Sequence, residues 1–289
     1  MIKNQYIFLF FIGLTLQVSL CQDLPSYFTF KPSGIFCPKN SSNCTKFLLS
    51  EVNSKTNVNI EVKNLYFESS VNQSIVLSAG ANNVVIKGFF MTVMGPIINF
   101  RVQQAYRLVP TPNAPPAEGK FYQIENSGIM CIPERQCPGK RAVLINGKNT
   151  SVLINNFDDS AYNSIFLFDM SWLESKIVAE KPYTAIVYGT ANKGNLVIHS
   201  AYVNINDPPT KCPELPLAKC LAGHVTTYIR GSDRCYSFDE CTKSGLCSLA
   251  IPKCSDHFRL VSYPSKSSHG CPKYLCEPDF LPPTSFHNE

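Results

Sequence analysis

Val62-Lys63-Asn64-Leu65-Tyr66-Phe67 is the first of four stretches that share one order of residues. A β-branched residue is followed two places later by Asn, Gly or Ser, and an apolar or aromatic residue comes next. The other stretches are 86–91, 154–159 and 198–203, with Gly88, Asn156 and Ser200 at the third place. Asn and Gly tolerate a left-handed backbone bend. A bend at one fixed place, with a strand directly after it, predicts a chain that coils in regular turns.

Short runs of β-branched and aromatic residues surround these stretches. One apolar residue from each run gives positions 62, 75, 86 and 97, and then 143, 154, 165, 177, 187 and 198, in steps of 10 to 13 residues. Such spacing without helical periodicity predicts an all-β body. The spacing alone does not distinguish a sandwich from a solenoid.

Taken together, the bends and the runs predict a coil of about 22 residues per turn. In this respect residues 45–206 resemble the right-handed parallel β-helix of the pectin-lyase-like group. The residues Asn64, Gly88, Asn156 and Ser200 resemble the asparagine ladder of that fold. The resemblance implies a short right-handed parallel β-helix in which these four residues superpose along one corner. An antiparallel β-sandwich is the alternative.

The first 21 residues have the features of an export signal. Lys3 precedes an apolar run from Tyr6 to Leu16, and the small residues Ser19 and Cys21 stand before a cut at Gln22. These features predict a secretory signal peptide over 1–21. The run is shorter than the ~20 residues that span a bilayer. We therefore expect a secreted, extracellular protein without membrane insertion after signal cleavage.

The cysteines predict the domain boundary. Eight of the thirteen fall within the last 80 residues, while none lies between Cys137 and Cys212. We expect a β-helix-like body over 22–206 with a Pro-rich insertion at 101–140, and a cysteine-rich module over 207–289. In an exported chain the twelve cysteines that remain after cleavage should form disulfides, with Cys131 bonded to Cys137. The twelve are Cys37, Cys44, Cys131, Cys137, Cys212, Cys220, Cys235, Cys241, Cys247, Cys254, Cys271 and Cys276.

Export also bears on the asparagines. Asn-X-Ser/Thr triplets begin at Asn40, Asn43, Asn72 and Asn149. Four such triplets in a secreted chain predict a glycoprotein with surface glycans at these positions. The cysteine gaps in the module lack the paired C-x₂-C spacing of zinc sites, so no metal and no other cofactor is expected.

Composition and motifs argue against several functions. The formal charge is +5 and charged residues make up 16%, without the dense Lys/Arg cluster of a nucleic-acid-binding protein. Enzymes resembling the β-helix fold cleave acidic polysaccharides with paired acids or calcium-held acids. The only adjacent acid pair in the body is Asp158-Asp159, and its equivalents on other turns supply no carboxylate. We interpret the pair as a solvated turn and expect no catalytic residues.

Binding is the function that remains. In the predicted register, Tyr66, Phe90 and Tyr202 share one outward position and would form a row on which sugar rings stack. Filling of the core is the alternative role of these side chains. The leading hypothesis is a secreted non-catalytic protein that binds carbohydrate or a cell-surface or matrix glycoprotein. The alternatives are a polysaccharide lyase or hydrolase, and a signalling ligand that acts through its cysteine-rich tail.

Overall fold

The computed structural model describes residues 25–35, 44–56, 58–92, 98–116, 118–129, 138–178, 184–208 and 210–284. The predicted signal peptide and the positions Cys37, Cys131, Cys137, Asn40 and Asn43 lie outside these ranges. None of the helices in the described part of the chain is long and apolar enough to cross a bilayer.

Strands dominate the described residues, as the apolar runs predict. The helices are α1 (Gln73–Leu77) and α2 (Met170–Ile177), with 3-10 turns at Ser160–Tyr162 and Lys266–Ser268. The strands are β1 (Ser26–Pro32), β2 (Phe47–Glu51), β3 (Asn59–Val62), β4 (Asn64–Phe67), β5 (Val84–Thr92), β6 (Ile98–Leu108), β7 (Lys120–Asn126), β8 (Lys140–Leu144), β9 (Ser151–Ile154), β10 (Asn156–Asp158), β11 (Ala185–Asn192), β12 (Asn195–Asn204), β13 (His224–Arg230), β14 (Tyr236–Lys243), β15 (Phe258–Pro264) and β16 (Pro272–Pro278).

Strand direction shows that the predicted parallel β-helix is wrong. The first twelve strands form one sheet in the order β3-β2-β1-β5-β6-β12-β11-β7-β8-β9, and every neighbouring pair in that order is antiparallel. Among the strands of the described residues, the short strands β4 and β10 pair in parallel, with β6 and β12 respectively. The alternative prediction, an antiparallel β-sandwich with a disulfide-rich module, fits the structure in its antiparallel strands and its disulfides.

The predicted corner of four residues does not form either. Asn64 and Asn156 begin β4 and β10, but Gly88 and Ser200 lie inside the antiparallel strands β5 and β12. Apolar spacing misleads here because antiparallel strands joined by short turns recur at the same interval as solenoid turns. The residues predicted as an insertion, 101–140, also contain strand, since β6 continues to Leu108 and β7 begins at Lys120.

The sheet consists of two equivalent halves, β1–β6 and β7–β12. In each half the first three strands pair antiparallel. The third of them continues past a kink, at Lys63 or Asn155, as β4 or β10. A helix and a hairpin come next. The continuation, β4 or β10, pairs in parallel with the last strand and closes a five-stranded barrel. This connectivity is that of the OB-fold, although a fold by itself assigns no function.

Equivalent residues carry the same local structure in both halves. A bulge lies at Lys87/Gly88 in β5 and at Tyr188/Gly189 in β11. Glycine is required at both positions. A Cβ added to Gly88 would lie 1.8 Å from the carbonyl oxygen of Arg101, and a Cβ added to Gly189 would lie 2.3 Å from the carbonyl oxygen of Val197. The chain is therefore an internal duplication with a repeat of about 94 residues.

The two barrels are related by a local two-fold axis between β6 and β12. Tyr106 pairs with Asn204, and Leu108 pairs with Tyr202, the equivalent of Tyr106. Backbone hydrogen bonds beyond these strands follow the same symmetry: the Val109 N–H donates to the Ala201 carbonyl at 2.9 Å, and that of Ile205 to Ala105 at 3.1 Å.

Two asparagines clamp the barrels together reciprocally. Asn53 Nδ2 donates to the carbonyls of Phe121 and Ile145, both at 2.8 Å, and Asn53 Oδ1 accepts from the Phe121 N–H at 2.9 Å. In the opposite direction, Asn146 Nδ2 donates to the carbonyls of Tyr27 (2.8 Å) and Val52 (3.1 Å), and its Oδ1 accepts from the Tyr27 N–H at 3.0 Å. Both asparagines have left-handed φ, 60° and 55°.

The apolar core has one cluster inside each barrel and a third between them. The third consists largely of equivalent pairs. Burying a large apolar side chain stabilises a fold by about 1.5–3 kcal/mol. The duplication therefore buries its own symmetric contact face, whose members are Tyr27 and Phe121, Val52 and Ile145, Val85 and Ile186, and Tyr106 and Tyr202.

The tail after residue 207 is a second duplication, with two hairpins, β13–β14 and β15–β16. Its four disulfides confirm the expectation of disulfide bonds for these eight cysteines and indicate an oxidising compartment. Cys44 is also disulfide-bonded. In each hairpin unit the first cysteine bonds the third and the second bonds the fourth: Cys212–Cys235, Cys220–Cys241, Cys247–Cys271 and Cys254–Cys276.

The tail packs on the second barrel. Phe280 and Leu281 belong to the core of that barrel, and the Cys276 N–H donates to the Leu167 carbonyl at 2.8 Å. A buried ion pair between Arg230 and Asp169, at 3.1 Å, joins the two parts as well, and Arg234 Nη1 donates a hydrogen bond to the backbone carbonyl of Asp207. The boundary at 206/207 stays a prediction.

Candidate functional site

The three aromatic residues predicted to stack sugars occupy different environments. Tyr66 is half-exposed on β4. Phe90 packs edge-to-face on Phe28 and Phe100, with ring centroids 5.3 and 5.1 Å apart. Tyr202 is buried at the contact between the barrels, and burial raises its pKa to about 12. The structure does not bring these rings together into a row.

The acid pair Asp158-Asp159 forms a turn into the 3-10 helix. The Ser160 N–H donates to Asp158 Oδ1 at 2.9 Å, and hydrogen bonds from Ser160 lower the pKa of Asp158. Burial raises the pKa of Asp159. Asp159 Oδ2 has no hydrogen-bond partner in the described part of the chain.

Two of the predicted glycosylation sites lie within the described ranges, and both are exposed. Asn72 caps α1: its Oδ1 accepts from the N–H groups of Ser74 and Ile75. A glycan would attach to Nδ2 and leave this cap intact. Asn149 lies in the turn between β8 and β9, with φ of 54°.

A concave site lies between the two hairpins of the tail, and we call it the tail groove. It has a volume of about 600 Å³ and is open to solvent. One wall comes from β13 and β14, and the other from β15, the turn after it and β16. The lining residues are Tyr228, Ile229, Arg230, Asp239, Tyr263, Ser265, Lys266, Ser267, His269 and Lys273.

Close approach of the hairpins forms the groove. The rings of Tyr236 and Tyr263 contact each other across the two hairpins, with centroids 5.3 Å apart. Gly270, at φ of 78°, lies against Val225, and an added Cβ would be 2.0 Å from Val225 Cγ2. Only glycine combines that conformation with that contact.

Beneath the groove, buried arginines are paired with carboxylates. Arg230 bonds Asp169 and Glu277, and Arg234 and Arg259 bond the same Glu277. Burial raises the pKa of Glu277, but the three guanidinium groups outweigh burial and the net pKa is lowered. Glu277 therefore stays ionised and offsets part of the positive charge of the arginines around it.

The rim carries the accessible charges. Lys266 bonds Glu240 at 2.9 Å, with Asp239 close by. Lys273, opposite Tyr263 in the β15–β16 pair, is exposed and forms no ion pair with a described residue. The partly exposed Tyr228 adds an aromatic ring. The rim thus offers one ring and cationic donors, the groups that contact sugars and anions in water.

Two smaller clefts lie elsewhere. One, of about 360 Å³ on the first barrel, contains the predicted stacking residue Phe90 together with Phe89 and Glu51. The other, of about 370 Å³, lies between the first barrel and the tail and contains Arg107, His257 and Asp279. Among the described residues no group of three His, Cys, Asp or Glu side chains is placed to hold a metal ion.

The groove residues were missed by reasoning from the sequence. A signal for them exists in the cysteine gaps of the tail, 8, 15 and 6 followed by 7, 17 and 5, which repeat with small changes. Read as a duplication, these gaps predict two like units with a contact between them. That contact is where the groove lies.

Comparison with known proteins places the chain in a family. No protein-family model matches it, and no solved structure matches it. An uncharacterised protein of Dictyostelium discoideum is 30% identical over 241 residues, which cover 82% of this chain and 82% of that protein. A match of that length exceeds the 206 residues before the tail, so it includes part of the tail. The chain belongs to the same family as this Dictyostelium discoideum protein.

Proposed function

We propose that this protein is a secreted, non-catalytic extracellular protein that binds carbohydrate through the tail groove. The observation that carries the proposal is the combination of a partly exposed tyrosine ring and exposed lysines around an open groove of about 600 Å³. Two disulfides crosslink each hairpin to the loop in front of it. Glu277 of the second hairpin unit bonds Arg230 and Arg234 of the first, so the walls of the groove are held in place before a ligand arrives.

The chemistry of the rim suits a sugar with an acidic group. The apolar C–H face of a pyranose packs on an aromatic ring such as that of Tyr228. The ammonium group of Lys273 would bind a carboxylate or sulfate, because it has no acidic partner among the described residues. Lys266, already bonded to Glu240, would contribute hydrogen bonds to hydroxyl groups.

Export agrees with this proposal. The four tail disulfides indicate an oxidising compartment, and residues 1–21 predict a signal peptide. Glycans on the exposed Asn72 and Asn149 would lie on the barrels, away from the groove residues. The barrels then serve as the scaffold to which the binding tail is attached.

Binding of an acidic polysaccharide panel tests the proposal. We expect Tyr228→Ala and Lys273→Ala each to weaken retention by about tenfold or more, because each removes one contact worth at least 1.4 kcal/mol. The matched controls are Tyr66→Ala and Lys193→Ala, which remove an exposed ring and an exposed lysine from the barrels. Equal losses in groove and control variants, or no retention at all, would refute the proposed site.

The same samples decide between binding and cleavage. New reducing or unsaturated ends after incubation would favour the alternative function, a polysaccharide lyase or hydrolase. Retention without new ends is the expected result.

A further inference from the structure

Two loops of the tail, which we call the leucine loops, expose large apolar side chains almost completely. They comprise residues 212–222 and 245–255, one in front of each hairpin. Leu217 is 95% exposed and Leu221 81% in the first loop; Leu246 is 104%, Leu249 97% and Ile251 73% exposed in the second. Every other exposed large apolar side chain in the described part of the chain has at most 60% exposure.

The loops are equivalent members of the tail duplication and are rigidly attached. Each begins near one disulfide and ends near the next, through Cys212 and Cys220 in the first and Cys247 and Cys254 in the second. Neither contains a helix or strand. A loop held at both ends presents its side chains with little further loss of conformational entropy on binding.

The two loops meet at one edge of the tail. The Ser244 N–H donates to the Gly223 carbonyl at 2.9 Å, where the first loop has just ended and the second is about to begin. Leu221 and Leu246 each lie two residues from this hydrogen bond. The end of the first loop therefore lies next to the start of the second.

The exposed charges on and beside the loops are mainly positive. Four exposed lysines, Lys211, Lys219, Lys243 and Lys253, accompany the two exposed acids Glu214 and Asp256. None of the six belongs to an ion pair between described residues. An apolar tip with lysines around it is the arrangement that binds the interface of an anionic bilayer.

We propose that the leucine loops bind the surface of an anionic phospholipid bilayer. The five apolar side chains enter the boundary between headgroups and acyl chains, and the lysines contact lipid phosphates and carboxylates. A bilayer is the occupant that the shape favours. The leucines protrude singly and line no groove, and a fluid hydrocarbon layer accepts protruding side chains without a matching surface. This contact is separate from the tail groove and does not depend on carbohydrate binding.

Vesicle sedimentation with the full chain tests the proposal. The vesicles contain phosphatidylcholine with about 30% phosphatidylserine, or phosphatidylcholine alone. We expect the double variant Leu217→Ser/Leu221→Ser and the triple variant Leu246→Ser/Leu249→Ser/Ile251→Ser each to lower partitioning by about tenfold or more. The matched control, Val58→Ser, removes an exposed apolar side chain from a barrel and should leave partitioning unchanged. Higher salt should weaken binding to the anionic vesicles.

Several results would overturn the proposal. One is absence of vesicle binding by the wild-type chain, and another is an equal loss in the Val58→Ser control. A third is self-association in analytical ultracentrifugation that the loop variants abolish, because it would assign the loops to a contact between two copies. Disulfide mapping verifies that the variants keep the four crosslinks. Retention on carbohydrate should be unchanged in both loop variants. Failure of the bilayer proposal is therefore distinguishable from failure of carbohydrate binding by the tail groove.

Discussion

The barrels and the tail are both duplications, but they use their duplicated surfaces in opposite ways. The barrels turn equivalent faces toward each other and bury Tyr106 and Tyr202 between them. The two tail units leave an open groove between them and expose leucines on equivalent loops. An apolar core holds the barrels, whereas disulfides and buried ion pairs hold the tail. The difference supports our proposal that the barrels are the scaffold and that the tail carries the binding surfaces.

The largest expected effect concerns the buried charges that hold the tail. Glu277→Gln should lower the free energy of unfolding by about 3–5 kcal/mol, because it leaves Arg230, Arg234 and Arg259 without their shared carboxylate. Denaturant unfolding of the full chain measures the change. A cost below about 1 kcal/mol would mean that these pairs do not hold the two hairpins of the tail together.

The same group predicts a dependence on pH. The folded pKa of Glu277 is lowered, so its contribution to stability is present above the ordinary value of 4.5 and is lost as the pH falls through the folded pKa. The wild-type chain should therefore lose stability below pH 4.5 more steeply than Glu277→Gln. If the free energy of unfolding depended on pH in the same way in the two proteins, the result would contradict the lowered pKa of Glu277.

The next effect concerns the crosslinks that distinguish the tail from the barrels. Replacing both cysteines of the Cys254–Cys276 pair with serine should lower the free energy of unfolding by about 2–4 kcal/mol, because the unfolded tail regains its freedom. We expect hydrogen exchange to increase in β15 and β16 and to stay unchanged in the first barrel. Increased exchange throughout both barrels would show that the tail and the barrels unfold together.

A smaller effect tests the symmetry of the barrels. Asn53→Asp and Asn146→Asp each place a carboxylate against two carbonyl oxygens and should each cost about 1–3 kcal/mol. Because the two sites are equivalent, the costs should agree within about 1 kcal/mol. Asn82→Asp, also at left-handed φ but exposed, is the control and should change stability little. Clearly unequal costs would contradict the two-fold relation.

The smallest effect uses an exposed carboxylate as the counterpart of Glu277. Glu240 bonds Lys266 on the groove rim, where the two side chains are 44% and 58% exposed. Since exposed ion pairs contribute little to stability, Glu240→Gln should leave the melting temperature unchanged. A marked decrease in the melting temperature would mean that this ion pair on the rim stabilises the tail fold.

The sequence predicted the β-rich body and the crosslinked tail, but not the direction of the strands. Spacing of apolar runs records how often strands occur and says nothing about which way they pair. The true repeat was visible in Ser33-Gly34-Ile35 and Ser127-Gly128-Ile129, 94 residues apart, with φ of 72° and 73° at the glycines. The equivalence of Asn64 and Asn156 belongs to this same repeat, whereas Gly88 is equivalent to Gly189 and not to Ser200.

The candidate site was beyond prediction from the sequence for a different reason. The groove depends on which cysteines pair, and eight cysteines allow roughly a hundred connectivities. Tyr228 and Lys273 are 45 residues apart and become neighbours only when the two hairpins are placed side by side. Tyr202, in contrast, shows an ordinary strand pattern, and only the contact between the barrels reveals that it is buried.

The most direct test of the account is a hydrogen-exchange footprint of the full chain with a bound acidic oligosaccharide. On binding of the oligosaccharide, we predict increased protection in β13 and in residues 263–273, around the tail groove, and unchanged protection in the barrels. Protection centred on the cleft around Phe89 and Phe90 in the first barrel, with none in the tail, would contradict it.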